Sequence, residues 1–187
     1  QSTRSKPTKA ELTTQAEIPG IPNARFWPDD PASIEKMIQV AAASLQREEQ
    51  AGAAVDAAGN LPPVSFLAVS GGGDDGAFGA GLLVGWTENG TRPEFKVVTG
   101  TSTGALTAPF AYLGPDYDDE LRDVYTKISA ADIYEERSFL AALFDDALAD
   151  TTPLQATIAK HVNEQFMADL AAAYAKGRFL LMGATDL

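Results

Sequence analysis

The sequence contains no cysteine and a single histidine, His161. The absence of cysteine excludes disulfide bonds and thiolate metal sites, and a single histidine argues against a histidine-rich metal centre. We therefore expect neither a metal ion nor a cofactor. Basic residues are also few, because 14 Lys and Arg stand against 26 Asp and Glu and give a formal net charge of −12. Since an acidic chain without a basic cluster repels phosphate backbones, we expect no nucleic-acid partner.

Long apolar runs are absent as well. No stretch approaches the roughly 20 apolar residues of a membrane span, and no export signal opens the chain. Residues 1–29 are polar and contain prolines, so we predict an extended segment ahead of a domain at 30–187. Such a segment would suit an envelope or secreted protein whose export signal has been removed. It would equally suit an artificial chain boundary.

The order of predicted elements in the middle of the chain indicates an α/β fold. Two short, β-branched strands at 64–70 and 95–100 are predicted to be buried. Each strand runs into glycines and is followed by an apolar helix, at 77–89 and 103–114 respectively. This alternation is typical of a parallel sheet covered by helices.

Helices are also predicted on both sides of this unit. Asp30-Pro31 is a favourable helix start, and the apolar residues from Ile34 to Leu45 recur at helical spacing and are expected to face the core. A helix beginning at Thr152-Pro153 is predicted to continue to residue 176 as one buried stripe. The remaining predicted helices span residues 118–126 and 138–148.

The last predicted element is a buried strand that begins at Arg178 and reaches the chain end at Leu187. Because no further element follows this strand in the sequence, we expect that sequence is missing after Leu187, by truncation or by cleavage into two chains. The alternative is a strand placed last at the edge of the sheet.

The segment Gly100-Thr101-Ser102-Thr103-Gly104 has the form G-x-S-x-G between a predicted strand and a predicted helix. This is the context of a nucleophile on a sharp turn, where the flanking glycines avoid clashes with the strand and the helix. The helix N-terminus would favour negative charge near the serine oxygen. The pattern predicts Ser102 as a catalytic nucleophile.

A second glycine-rich segment, SGGGDDGAFGAGLL, lies between the first strand and its helix. A dinucleotide site would require an acidic residue at the end of the second strand, where this sequence has none. The carboxylates of Asp74 and Asp75 would also repel a pyrophosphate. We therefore interpret Gly71, Gly72 and Gly73 as an oxyanion hole, and a nucleotide-binding protein remains an alternative.

Together, LAVSGGGDDGAFGAGLL and GTSTG resemble the patatin-like phospholipases of bacteria, over roughly residues 64–187. The resemblance implies a three-layer α/β sandwich with a mainly parallel sheet. It also implies a serine lipid acyl hydrolase, a phospholipase A or related carboxylic ester hydrolase of lipid metabolism, that forms an acyl-enzyme through a Ser-Asp dyad. A dyad without histidine agrees with our interpretation of His161 as a surface or packing residue.

Two features depart from that family's pattern. The loop carries Asp75 where the family often has Arg or Lys. The family's aspartate lies in a D-G-G or D-G-A motif after the serine, whereas Asp75-Gly76-Ala77 precedes Ser102. We therefore expect the aspartate in a C-terminal continuation, in the same or a second chain. The alternative is a catalytically inactive lipid-binding module. Since the implied substrate is a lipid or another ester, peripheral membrane contact is a further hypothesis.

Overall fold

The computed structural model describes residue 12 and residues 15–54, 56–60, 63–132 and 158–184, with Asp74 and residues 127–132 described by backbone alone. The elements in this part of the chain are α1 (Pro31–Gln50), β1 (Ser65–Val69), α2 (Gly76–Glu88), β2 (Phe95–Thr101), α3 (Thr103–Leu113), α4 (Asp118–Asp132), α5 (Glu164–Ala175) and β3 (Phe179–Gly183). Short 3-10 turns at Gly73–Asp75 and Pro115–Tyr117 precede α2 and α4. The helix predicted at 138–148 lies outside the described residues.

The three strands form one open parallel sheet in the order β1-β2-β3. Leu67 of β1 is paired with Val98 of β2, which is paired in turn with Leu180 of β3. Helix α3 packs on β2 and also touches both neighbouring strands. The prediction of an α/β fold with a parallel sheet and flanking helices is confirmed.

The hydrophobic core lies between this sheet and the helices packed around α3. Phe110 of α3 packs against Phe166 of α5 with ring centroids 5.2 Å apart, and Phe166 also meets the ring of Tyr117. Arg178 joins the ends of three elements, because its guanidinium donates to the carbonyl oxygens of Phe95 and Tyr112. The core is therefore closed at the end of α3 that is remote from Ser102.

Helix α1 begins as predicted but presents a different face. The Asp30 carboxylate accepts the Ala32 N–H at 3.1 Å, which is the expected N-cap. Ile38 and Leu45 are 59 % and 49 % exposed, so the prediction of a core-facing apolar stripe is wrong for them. The small residue Ser44 is buried instead, where the backbone of α1 meets Gly177: a Cβ on Gly177 would lie 2.4 Å from the Ser44 carbonyl oxygen.

The predicted continuous helix from 152 to 176 is interrupted. Residues 152–157 lie outside the described residues. Residues 158–161 are helical, Val162 and Asn163 are not, and α5 begins at Glu164. The reason is local, since the Asn163 side chain accepts the Phe166 N–H at 3.0 Å and caps a new helix. Ile158 thus lies in one helix, whereas Phe166, Leu170 and Tyr174 lie in another.

Strand β1 has the predicted position but is not buried on both faces. Phe66 is 67 % exposed, and Ala68 is exposed on the same face. Their neighbours Leu67 and Val69 are half-buried towards α3. This alternation is that of a strand with one covered face.

A buried ion pair ties α4 to the loop before β2. Arg92 donates to Asp118 at 2.7 Å, with side chains 1 % and 12 % exposed. Because Asp118→Asn leaves the guanidinium buried without its counter-charge, we expect a loss of about 3 kcal/mol in the free energy of unfolding, measured with urea.

The matched control is Glu88→Gln, which breaks the exposed pair of Glu88 with Arg122 at 3.4 Å. We expect it to cost less than about 0.5 kcal/mol. Equal losses for the two variants would contradict the assignment of Arg92 and Asp118 as a stabilising buried pair.

Candidate active site

Ser102 occupies the single residue between the end of β2 and the start of α3, and its backbone is strained. Its φ is 55° and its ψ is −123°, in a region that side chains with a Cβ rarely adopt. Among the described non-glycine residues, Asn23 is the other one with a positive φ. The chain reverses from strand to helix within this residue, so the side chain projects from a sharp turn.

The glycines on either side of Ser102 make the turn sterically possible. A methyl group on Gly100 would lie 2.2 Å from the carbonyl oxygen of Gly104. One on Gly104 would lie 2.2 Å from the carbonyl oxygen of Val69 in β1. Backbone therefore packs on backbone at both positions, which only glycine allows.

The glycine loop after β1 approaches Ser102 through its first member. A Cβ on Gly71 would lie 2.9 Å from the Ser102 Cβ and 3.5 Å from its Oγ. The corresponding positions on Gly72 and Gly73 have no Ser102 atom within 4 Å. Gly73, with φ 56°, begins the 3-10 turn that leads into α2. The structure thus brings Gly71 beside Ser102 and places the other two glycines further along the loop.

The two threonines of the turn have different surroundings. Thr101 is exposed, whereas Thr103 is completely buried and its Oγ1 has no hydrogen-bond partner within the described residues. The Ser102 N–H donates to the Gly183 carbonyl of β3 at 3.2 Å, which fixes the turn from the other side. The Ser102 side chain is half-buried, and in the part of the chain that is described no group hydrogen-bonds to its Oγ.

A known protein family matches the part of the chain that holds this arrangement. The family model described as patatin-like phospholipase matches residues 67–181. The chain belongs to the patatin-like phospholipase family. The match includes the glycine loop and the Ser102 turn and runs from β1 into β3. Searches of curated proteins and of solved structures found no match.

Membership in the patatin-like phospholipase family indicates a hydrolase of the lipid acyl hydrolase kind. A parallel sheet with its helices fits that fold. The strained Ser102 lies inside the matched region, as do Gly71, Gly72 and Gly73. Their individual roles stay predictions.

A cavity of about 390 Å³ lies at the opposite end of α3 from Ser102. The residues around it are Asp116, Tyr117, Glu120, Lys160, His161, Asn163, Gln165 and Asp169. The hydrogen bond from the Tyr117 hydroxyl to the Asp169 carboxylate, at 2.5 Å, raises the pKa of Tyr117 to about 12. His161 is buried here and is not a surface residue. An 11-residue helix is about 16 Å long, so this cavity is separate from the turn.

The described residues also bear on metal binding and on membrane spanning. Across the described ranges, no group of three His, Asp or Glu side chains is arranged to hold a metal ion. No helix there has the length and apolar character needed to cross a bilayer.

Sequence reasoning missed Tyr125, which lies behind the turn on α4. Because the first turn of its helix is strongly acidic, the sequence does not suggest that this helix has a buried face. A usable signal was the spacing of Leu121 and Tyr125, four residues apart and both buried.

Proposed function

We propose that this protein is a serine lipid acyl hydrolase that cleaves carboxylic esters of phospholipids or of simpler acyl lipids, with Ser102 as the nucleophile. The observation that carries the proposal is the strained backbone of Ser102, whose hydroxyl lies beside Gly71 at the N-terminus of α3. Strain of this kind is found where a side chain must be held in a reactive position.

In the proposed mechanism, an aspartate accepts the Ser102 hydroxyl proton while Oγ attacks the ester carbonyl carbon. Backbone N–H groups of Gly71, Gly72 and Gly73 and the N-terminus of α3 stabilise the resulting oxyanion. Collapse of this intermediate breaks the ester bond, and the leaving alcohol takes the proton from the aspartic acid. Water then attacks the acyl-enzyme and gives one proton to the aspartate. Collapse of the second tetrahedral intermediate breaks the bond to Oγ, which takes this proton back as the fatty acid leaves.

We place the aspartate of the dyad outside the described residues. Two observations support this placement. No D-G-G or D-G-A motif follows Ser102 in the sequence. In addition, the Ser102 hydroxyl has no hydrogen-bond partner among the described residues. The proposal thus divides the dyad between the Ser102 turn and a part of the protein that is not described.

The experiment is a hydrolysis assay of the full-length protein with nitrophenyl esters of graded acyl length and with phosphatidylcholine vesicles. We expect release of nitrophenol and of free fatty acid, with a burst equal to the enzyme concentration if deacylation is slow. A folded protein that binds vesicles without any turnover would contradict the hydrolase proposal. It would favour the alternative of an inactive lipid-binding module.

Contact with the lipid surface is proposed through the outer face of α2, which starts three residues after the glycine loop. Phe78 and Leu82 are 77 % and 58 % exposed, one helical turn apart, and the helix carries no charge before Glu88. Since burying each side chain is worth about 1.5–3 kcal/mol, we expect Phe78→Gln with Leu82→Gln to weaken binding to phosphatidylcholine vesicles by more than about tenfold.

Zwitterionic vesicles are chosen because a net charge of −12 would be repelled by anionic lipids. The matched control is Met167→Gln, which removes a 50 % exposed apolar side chain from α5. Cosedimentation that is unchanged in the double variant, or reduced equally by the control, would contradict the proposed face.

A further inference from the structure

The Tyr125 hydroxyl lies directly behind the Ser102 turn. Tyr125 is 6 % exposed on α4, and its Oη is 3.2 Å from the Thr103 carbonyl oxygen and 2.7 Å from Thr107 Oγ1. Thr103 and Thr107 are both completely buried in the first turns of α3. One hydroxyl from another helix thus reaches the residue that follows Ser102.

The direction of these hydrogen bonds follows from the protons available. The Thr103 carbonyl can only accept, so the single Tyr125 proton is donated to it. The short contact with Thr107 then requires the Thr107 hydroxyl to donate to Tyr125 Oη. Burial raises the pKa of Tyr125, so the donor proton is retained at neutral pH.

The same hydroxyl also lies close to the start of α2, the helix that follows the glycine loop. A Cβ on Gly76, the first residue of α2, would lie 2.2 Å from Thr103 Cγ2 and 3.0 Å from Tyr125 Oη. The 3-10 turn Gly73–Asp75 connects the glycine loop to Gly76, and Thr103 follows Ser102. Tyr125 therefore lies where the two halves of the candidate site meet.

We propose that Tyr125 is a positioning residue, whose hydroxyl holds the first turn of α3, and with it Ser102, in register with the glycine loop. The inference rests on the proposed hydrolase function. A misplacement of about 1 Å at a reacting group can cost a hundredfold in rate, so one buried hydrogen bond at this junction has a measurable effect. The ring of Tyr125 contributes to packing, and the positioning role belongs to the hydroxyl alone.

The test compares Tyr125→Phe with a matched control in which a different buried hydroxyl is removed. Tyr112→Phe serves this purpose, since Tyr112 is 1 % exposed and its hydroxyl has no partner within the described residues. With a nitrophenyl ester, we expect Tyr125→Phe to lower kcat about tenfold with KM changed less than twofold. Tyr112→Phe should leave both constants unchanged.

Thr107 provides a conservative pair for the same test. Thr107→Ser keeps the hydroxyl that donates to Tyr125 and should retain kcat, whereas Thr107→Val removes it and should lower kcat. Loss of kcat in both Thr107 variants would indicate a packing effect and would overturn the positioning role.

Amide hydrogen exchange tests the effect of the Tyr125 hydroxyl on the Ser102 turn independently of turnover. We expect faster exchange in the peptide covering residues 102–107 for Tyr125→Phe, with exchange in α5 unchanged and with no such change for Tyr112→Phe. If the wild type shows no turnover but Tyr125→Phe shows this exchange pattern, the hydrolase function is overturned. The restraint that Tyr125 places on the turn is then still supported. Unchanged exchange, or an unchanged kcat in an active enzyme, would overturn the inference about Tyr125.

Discussion

Ser102→Ala is expected to abolish covalent labelling of the full-length protein by a fluorophosphonate probe and to lower ester hydrolysis at least about a thousandfold. The probe forms its bond to a hydroxyl oxygen, and alanine has none. Alanine also removes the Oγ that lies beside Gly71 and that would attack the ester carbonyl carbon. Labelling followed by in-gel fluorescence and hydrolysis of a nitrophenyl ester measure the two losses separately.

The matched control for this experiment is Ser70→Ala, which removes an exposed hydroxyl at the end of β1 just before the glycine loop. We expect this variant to be labelled and to turn over substrate like the wild type. Persistent labelling of Ser102→Ala would refute the assignment of Ser102. Loss of labelling in both variants, with folding intact, would mean that labelling does not distinguish Ser102 from Ser70. This outcome would also contradict the assignment of Ser102.

Gly104→Ala is expected to destabilise the protein by about 3 kcal/mol, which corresponds to a fall in the melting temperature of roughly 10 °C for a chain of this size. The added Cβ would lie 2.2 Å from the Val69 carbonyl oxygen and 2.7 Å from that of Ser70. Both atoms are backbone, so no rotamer change relieves the clash and α3 must move away from β1. We also expect the glycine loop to separate from Ser102, because it continues directly from Ser70.

The control for Gly104 is Gly85→Ala on α2. A Cβ at Gly85 meets no atom within 4 Å, and its φ is not positive. Alanine should therefore stabilise this helix by about 0.5–1 kcal/mol through its higher helix propensity. Thermal unfolding of both variants is the measurement, and a neutral effect of Gly104→Ala would mean that the close approach of α3 to β1 is wrong.

The central unit was predictable because its signals are local. Strand bounds at β1 and β2 were predicted within one or two residues from short β-branched runs ending in glycine. Helix α2 ends at Glu88, one residue before the predicted end, and is followed by Gly90 with a φ of 76°, which glycine tolerates. The turn at Ser102 was predicted in the same way, from glycines spaced two residues to each side.

What the sequence could not reveal depends on long-range packing. Periodicity alone does not tell which side of α1 meets the domain, so the exposure of Ile38 and Leu45 required the position of α5. In the sequence, Asn163 is one polar residue within a helical pattern. In the structure, its side chain caps a new helix. Tyr125 could not be connected to Thr103 without the fold, because 22 residues separate them in the chain.

The hydrogen bond from the Ser102 N–H to the Gly183 carbonyl has a consequence for how the protein is made. Contacts between residues far apart in sequence form slowly, and this one requires β3 to be synthesised and docked next to β2. A nascent chain that has released β2 and α3 but not β3 lacks this restraint on the serine backbone. The turn would then acquire its strained backbone only after the third strand has joined, so that, under the proposed function, Ser102 becomes reactive late in assembly.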